Sequence, residues 1–290
     1  MGRMSLGIPL VAYYYQECNY GVITFCNYFV TFAANTIKKA ELVLILGYQI
    51  SEYRRLTPIK ITHLSIMNRN GQAAAFYDLE GTLVSTNLVH TLAFYAKRQQ
   101  GLWQTAKKSV GTLARLPFFG VADLYSRNVF NEVFFKSYEG FSHDRLRYFS
   151  DELFEEVLKP AIYAGTPDLI KQGKKIGQRQ VCITGALDFT IDRLMDHLGM
   201  DDYRGNCMEF VNGYSTGRII PPVMASATKA QWIREYAERE NINLSDSYAY
   251  SDSISDLPML SIVGHPVAVN PDMRLKQTAL QHDWPILDLK

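Results

Sequence analysis

The chain has 290 residues, 47% of them hydrophobic and 20% charged, enough for one large or two small domains with a buried core. Lys plus Arg number 30 against 29 for Asp plus Glu, a net charge of +1, so no general attraction for nucleic acid exists and recognition must rest on a local site. The four cysteines, Cys18, Cys26, Cys182 and Cys207, show neither a close pair nor metal-ligand spacing, which argues for free thiols in a reducing, cytoplasmic setting, and the six scattered histidines argue against a His-based metal site.

From Cys18 to Ile37 runs an uncharged stretch, CNYGVITFCNYFVTFAANTI, about long enough to span a membrane. Its three Asn and three Thr argue against a span, and no clear basic region precedes it as a cleaved signal would require. Met67 then opens a short polar lead into the first strand. Residues 1–66 are therefore expected to be an N-terminal extension, poorly ordered or belonging to an upstream start that is not the natural one.

AAAFYDL (73–79) is a continuous apolar run bounded by Gly71 and Gly81, which predicts a buried strand. Residues 86–160 follow as an almost wholly helical pattern rich in Phe, Tyr and Leu, with four expected helices over 88–100, 102–116, 122–138 and 143–159, broken near Pro117 and Gly140. The aromatic stripe reads first as the core of this segment. TPDLIKQGKKIG predicts a helix with Thr166 as its cap and Pro167 at its first position. RQVCITG (179–185) is the second strand candidate, and TIDRLMDHLG a helix closed by Gly199. The NG at 212–213 marks a hairpin within 203–218. KAQWIREYAERE is an amphipathic helix, and SYAYSDS (247–253) and HPVAVN (265–270) are further strands. Strands alternating with helices predict an α/β fold, a parallel sheet doubly wound by helices on both faces, with ligands outside the carboxyl ends of the strands.

Four short segments fall at those ends in chain order: Asp78-Leu-Glu80-Gly81-Thr82, Thr184-Gly185, Lys229 opening a helix, and Asp252-Ser-Ile-Ser-Asp256. The set resembles the haloacid dehalogenase superfamily, with AYSDSISDLPML, HPVAVNPD and the placement of the helical insertion most similar to its phosphoserine-phosphatase-like branch, subfamily IB. The resemblance covers about residues 70–290 and implies a Rossmann-like core over 67–85 and 161–290, with a helical cap of the C1 type over 86–160 inserted after the first strand. It also implies a Mg²⁺-dependent phosphatase in which Asp78 attacks phosphorus to form an aspartyl-phosphate.

The residue types suit that chemistry. A phosphomonoester is an anion, so a carboxylate nucleophile approaches it only where positive charge is gathered around both. By the resemblance, Mg²⁺ would be held by Asp78, Asp252 and the backbone carbonyl of Glu80, with Asp256 orienting these ligands from behind. Lys229, the Thr184 hydroxyl and the Gly185 N–H would bind the phosphoryl oxygens, and Glu80 would act as general acid and base. Lys is unfavourable in the first turn of a helix unless an anion offsets it, which favours a role for Lys229 beyond solvation. Ser226 and Thr228 beside it have the chemistry of simple caps.

Two features depart from the branch. Glu80 stands where Asp is usual; the enolase-phosphatase group of the same superfamily resembles this chain in using Asp-x-Glu-Gly-Thr, so Glu does not imply a dead enzyme. Phosphoserine phosphatases proper carry a Glu shortly after the first motif and an Arg in the cap, whereas STNLVH (85–90) contains no acid and Arg127 is only a candidate for the Arg. The expected partner is a small-molecule phosphomonoester, with neither nucleic acid nor a membrane expected and oligomeric state left open. A lipid phosphate and a catalytically silent binding or regulatory relative stay open as alternatives.

Overall fold

The computed structural model describes residues 71–98, 111 and 134–290, all within the unit Asn68–Lys290. The expected extension 1–66, the uncharged stretch 18–37, most of the expected helices at 102–116 and 122–138, and Arg127 lie outside the described residues. Among the described residues no helix is long and apolar enough to cross a membrane.

The strands are β1 (Ala74–Tyr77), β2 (Arg179–Leu187), β3 (Asp202–Val211), β4 (Tyr214–Ile220), β5 (Tyr248–Ser251), β6 (His265–Val269) and β7 (Ile286–Leu287). They form one sheet in the order β4-β3-β2-β1-β5-β6-β7, parallel except for the β3–β4 hairpin. The hairpin turns on Asn212 and Gly213, both at positive φ, as the NG pair predicts. Because β1 pairs with β2 on one side and β5 on the other, the chain reverses its direction of winding at β1, where a parallel sheet opens a crevice for ligands.

Period-two alternation assigns each strand residue to a layer. Ala75, Tyr77, Cys182 and Tyr250 pack with Ile170 of α4 (Thr166–Lys175) and Leu194 of α5 (Asp188–Leu198). Ala74, Phe76, Val181 and Ala249 pack on the opposite face with Ile233 of α6 (Ala227–Arg239), Met259 of α7 (Leu257–Leu260) and Leu275 of α8 (Met273–Gln281). The doubly wound parallel sheet is thus present. Cys182 and Cys207 are both buried, and neither is in a disulfide.

The helical insertion leaves and rejoins the core through one paired stem. Ser85 donates its N–H to Ala161, Tyr163 donates to Leu83, and Val84 lies opposite Ile162. Its described part includes α1 (Leu88–Lys97), α2 (His143–Tyr148) and α3 (Ser150–Leu153). Phe94, Tyr95, Phe134, Phe135, Tyr138 and Phe141 are buried and packed edge to face or tilted on one another, so these aromatics are core, as expected.

Three local expectations need correction. Helix α4 begins at Thr166 itself, with Gly165 as cap; the Thr166 hydroxyl donates to Leu83 O at 2.8 Å and so ties the helix to the stem. The expected helix over 143–159 breaks at Phe149 and continues past α3 as a wide turn at Phe154–Leu158 and a tight one at Lys159–Ala161, which carries Pro160. Strand β2 does not end at Gly185 but runs to Leu187, with a shift of register against β3 between Ile183 and Leu187.

The sheet contains one buried polar pair beside the site. The Tyr77 hydroxyl donates to Gln180 Oε1 at 2.8 Å, and both side chains are excluded from solvent. Tyr77→Phe keeps the ring stack on Tyr250 but leaves that amide oxygen without its donor. It is expected to cost about 1–3 kcal/mol, read as a lower urea midpoint at unchanged slope; an unchanged midpoint would mean that water replaces the hydroxyl.

Candidate active site

Asp78 directly follows β1, Asp252 directly follows β5, and Thr184 lies in β2 two residues beyond Cys182, which pairs with the last residue of β1. Lys229 is the third residue of α6, and Asp256 directly precedes α7. The fold brings these segments together at the carboxyl edge of the sheet. Lys229 Nζ donates to Asp78 Oδ1 at 2.6 Å and to Asp256 Oδ2 at 2.8 Å, with all three side chains nearly excluded from solvent. These carboxylates are the anions that offset a lysine in a first helical turn. Ser226 occupies the cap position without a capping side-chain hydrogen bond, so the bland capping role does not account for it.

The turn after β1 is closed by its own backbone. Leu79 O accepts from Thr82, Leu83 and Val84, and Gly81 N donates to Val84 O. Gly81 has φ +83, and a Cβ there would stand 2.1 Å from Asp252 Oδ2, so only glycine lets the turn meet that carboxylate. The Thr82 hydroxyl lies 3.2 Å from Asp78 Oδ2 and 3.4 Å from Asp252 Oδ1, placing both carboxylates within reach of one small group. Glu80 reaches across to β2, where the Thr184 hydroxyl donates to its Oε2 at 2.7 Å.

Charge in this edge is unbalanced, since among the described residues Asp78, Glu80, Asp252 and Asp256 face a single ammonium, that of Lys229. Burial raises the Asp78 carboxyl above its ordinary range even though Lys229 pulls it down. Burial and then the Asp78 charge push Glu80 up to about 7, with the Thr184 hydrogen bond opposing. Burial, Asp78 and Asp256 push Asp252 up to about 7. Burial disfavours the Lys229 charge, but Asp256 and Asp78 outweigh it and hold the ammonium protonated.

Such an excess of carboxyl groups at one sheet edge suits a cation. Among the described residues no cluster of three or more His, Cys, Asp or Glu side chains forms a metal cage. The oxygens that could hold one are instead two carboxylates, Asp78 and Asp252, both within reach of the Thr82 hydroxyl, with the Glu80 backbone in the same turn. That suits a hard cation which keeps waters and takes the remaining oxygens from a bound phosphate, as Mg²⁺ does, and not a structural all-protein site.

Several supporting residues were not singled out from sequence. Ser251 Oγ donates to Asp256 Oδ2 at 2.9 Å. Asp272 accepts from Ile254 N at 2.9 Å and from Leu275 N at 2.7 Å, pinning the loop after β5 to the start of α8. Asn270 donates to Gly81 O at 3.2 Å and accepts from Leu289 N at 3.0 Å. The only sequence signal for the last two is the run VNPD, which is otherwise an ordinary turn.

In the stretch STNLVH, Asn87 caps α1 by accepting from Val89 N and His90 N, and Thr86 contacts His90 Nδ1 at 3.1 Å. Beside this stretch a recess of about 410 Å³ is lined by Ser85, Thr86, His90, Phe94, Lys97 and Arg98 among others. Arg98 is already engaged by Glu152 and Glu156.

A family model described as haloacid dehalogenase-like hydrolase matches residues 75–261. Over 219 residues the chain is 31% identical to the phosphoserine phosphatase SerB1 of Mycobacterium tuberculosis, a match covering 75% of this chain and 71% of that protein. It is 26% identical over 239 residues to a histidinol-phosphatase of Neisseria meningitidis, covering 74% and 98%. Its fold is similar to that of a solved phosphoserine phosphatase holding an analogue of a phospho-aspartyl intermediate, with a TM-score of 0.54 and 18% identity over 76% of this chain and 93% of that one. The family match spans more than half of the chain and the motif residues meet at one sheet edge, so the chain belongs to the haloacid dehalogenase-like hydrolases.

Proposed function

We propose that this chain is a Mg²⁺-dependent phosphatase that hydrolyses a small phosphomonoester through an aspartyl-phosphate on Asp78. It is a phosphoric monoester hydrolase by family and by the phosphatases among its relatives. The observation that carries the finer reading is the Lys229 ammonium held between Asp78 and Asp256, one residue pair from a second carboxyl group, Glu80, that titrates near neutrality. That arrangement is a buried nucleophile beside an acid that can still give up a proton at pH 7.

In the first step an Asp78 oxygen bonds to phosphorus and the bond from phosphorus to the leaving oxygen breaks. Protonated Glu80 passes its proton to that oxygen, releasing the alcohol. In the second step Glu80, now ionised, takes a proton from water as the water oxygen bonds to phosphorus. The bond to Asp78 breaks and inorganic phosphate leaves. Lys229 holds the Asp78 carboxylate in place and, with the Gly185 N–H, would face the phosphoryl oxygens, whereas the Thr184 hydroxyl, whose one proton meets Glu80 Oε2 in the free site, would turn to those oxygens only while Glu80 is itself protonated. Mg²⁺, held by Asp78, Asp252 and the Glu80 carbonyl with Asp256 behind them, would neutralise charge on phosphate and nucleophile together. The solved phosphatase with a phospho-aspartyl analogue supports the covalent route by likeness of fold.

The insertion between the stems serves, in this reading, as a cap over the leaving alcohol. Since Asn87 is engaged as a helix cap and no acid stands nearby in 85–90, we favour an alcohol that needs no carboxylate partner at that point over phosphoserine.

A panel of alkyl and aryl phosphomonoesters, with Mg²⁺ and with chelator, tests the function. Asp78→Asn is expected to abolish turnover while the protein stays folded; substantial Mg²⁺-dependent hydrolysis by that variant would exclude the covalent route. Glu80→Gln is expected to slow an alkyl ester by roughly 10²–10⁴-fold and an aryl ester less, with a burst of released nitrophenol as phosphoenzyme accumulates. Equal loss on both esters without a burst would remove Glu80 from proton transfer.

Cation binding has a readout apart from turnover. Relief of the carboxylate excess should make Mg²⁺ raise the melting temperature, by roughly 5–10 °C at a hundredfold excess over its Kd. Asp252→Asn should melt no lower than the parent without Mg²⁺, because like charges are removed, and should lose most of the Mg²⁺ shift. An undiminished shift in that variant would take Asp252 out of the cation site.

A further inference from the structure

Asn206 lies on β3, fully excluded from solvent, outside the four motif segments that meet at the sheet edge. An amide is costly to bury unless both of its ends are hydrogen-bonded. Its Nδ2 donates to Gly185 O at 2.7 Å and its Oδ1 accepts from Met224 N at 2.8 Å. The amide orientation admits no alternative, since a carbonyl can only accept and a backbone N–H can only donate. One side chain therefore spans the segment carrying Thr184 and Gly185 and the segment that leads, through Ser226, into the helix of Lys229.

The bond to Gly185 acts beyond its own partner. Gly185 C=O and Ala186 N–H belong to the same planar peptide unit, so fixing one fixes the direction of the other. Ala186 N donates to Thr184 Oγ1 at 2.9 Å, and that oxygen donates in turn to Glu80 Oε2 at 2.7 Å. With an acceptor position of Thr184 taken by Ala186, its single proton is aimed at Glu80. Each bond in the series polarises the next in the same sense.

The sheet does not hold this peptide unaided. Regular pairing of β2 with β3 stops at Ile183 opposite Arg204 and resumes at Leu187 opposite Asn206, so the Gly185–Ala186 unit lies in the irregular gap. Gly205 admits the close approach there, since a Cβ on it would stand 2.8 Å from Ala186 O and 2.9 Å from Asp188 N. The ladder is interrupted where the Asn206 side chain substitutes for it.

We propose that Asn206 is a positioning residue for catalysis: through the Gly185–Ala186 peptide it sets the Thr184 hydroxyl against Glu80, and through Met224 it holds the approach to the Lys229 helix in the same register. The inference rests on the phosphatase reading above.

The test compares the parent with Asn206→Ala, Asn206→Asp, Thr184→Val and the double variant Asn206→Ala/Thr184→Val, on an alkyl and a nitrophenyl phosphate, below the melting temperature of each variant. Asn206→Asp keeps the volume and the acceptor for Met224 but cannot donate to Gly185 when ionised, so it serves if Asn206→Ala does not fold. The expected result is a fall in kcat of roughly 10–100-fold on the alkyl ester, a smaller fall on the nitrophenyl ester and KM within about threefold. The double variant should lose no more than the worse single one, because both changes break the same series of bonds. Losses that multiply, equal losses on both esters, or a lower melting temperature with unchanged kcat would overturn the inference while leaving the phosphatase reading intact. A parent that hydrolyses no ester would overturn both.

Discussion

The ion triad of Lys229 with Asp78 and Asp256 is the constraint on which the rest of this edge depends. Its members come from the end of β1, the start of α6 and the loop after β5, with 151 residues separating Asp78 from Lys229. Burying charges costs several kcal/mol per ion, and only close pairing with further hydrogen bonds offsets it. The surroundings supply those bonds through Thr82 on Asp78 and Ser251 on Asp256. A charged group so placed cannot be exchanged without exposing its partners to the full cost of burial. The arrangement is poor as a means of stabilising the fold and well suited to keeping the Asp78 carboxylate in one orientation.

The fold makes the triad possible by placing β1 between β2 and β5. Asp78 N donates to Tyr250 O across the β1–β5 pair at 2.9 Å, so the ladder continues up to Asp78 before the chain turns. Beyond that point side chains replace the ladder. Asn270 ties the Gly81 turn to the C-terminal residues at Leu289, and Gly165 N donates to Leu289 O, so the turn, the tail and the start of α4 share one set of contacts. Asn206 performs the corresponding task between β2 and the approach to α6. A sheet edge offers unpaired backbone groups to a ligand, and the same lack of pairing obliges the protein to fix those loops by other means.

Glu at position 80 is consistent with this geometry. Its carboxyl group meets the Thr184 hydroxyl on the neighbouring strand, and its elevated pKa follows from burial next to Asp78. The extra methylene relative to Asp extends the reach from the turn towards β2. The insertion adds little charge to the site from its described part. Its aromatic side chains pack among themselves, and Arg98 is taken by Glu152 and Glu156.

Much was legible in the sequence because it depends on local rules. Apolar runs located β1, β2, β5 and β6, the NG pair located the β3–β4 hairpin, Gly199 closed α5 at φ +65, and alternation of strands with helices implied a parallel sheet. Asp78, Glu80, Thr184, Lys229, Asp252 and Asp256 group together in the sequence because their four segments fall at strand ends in the order of the haloacid dehalogenase pattern that the chain resembles. What escaped depends on contacts between distant segments. Thr166 has the chemistry of a cap, yet the nearness of Leu83 O draws its hydroxyl to the stem. Strand β2 outruns its apolar pattern because β3 continues beside it after a shift of register. The two-residue β7 carries too short a pattern to stand out and exists through its pairing with β6. Asn206, Asn270 and Asp272 look like ordinary polar residues until the fold removes them from water or brings a backbone group to them. A buried side chain's role is set by the partners that reach it, and those partners are chosen by tertiary structure, whereas a strand, a turn or a catalytic residue type is written into a few neighbouring positions.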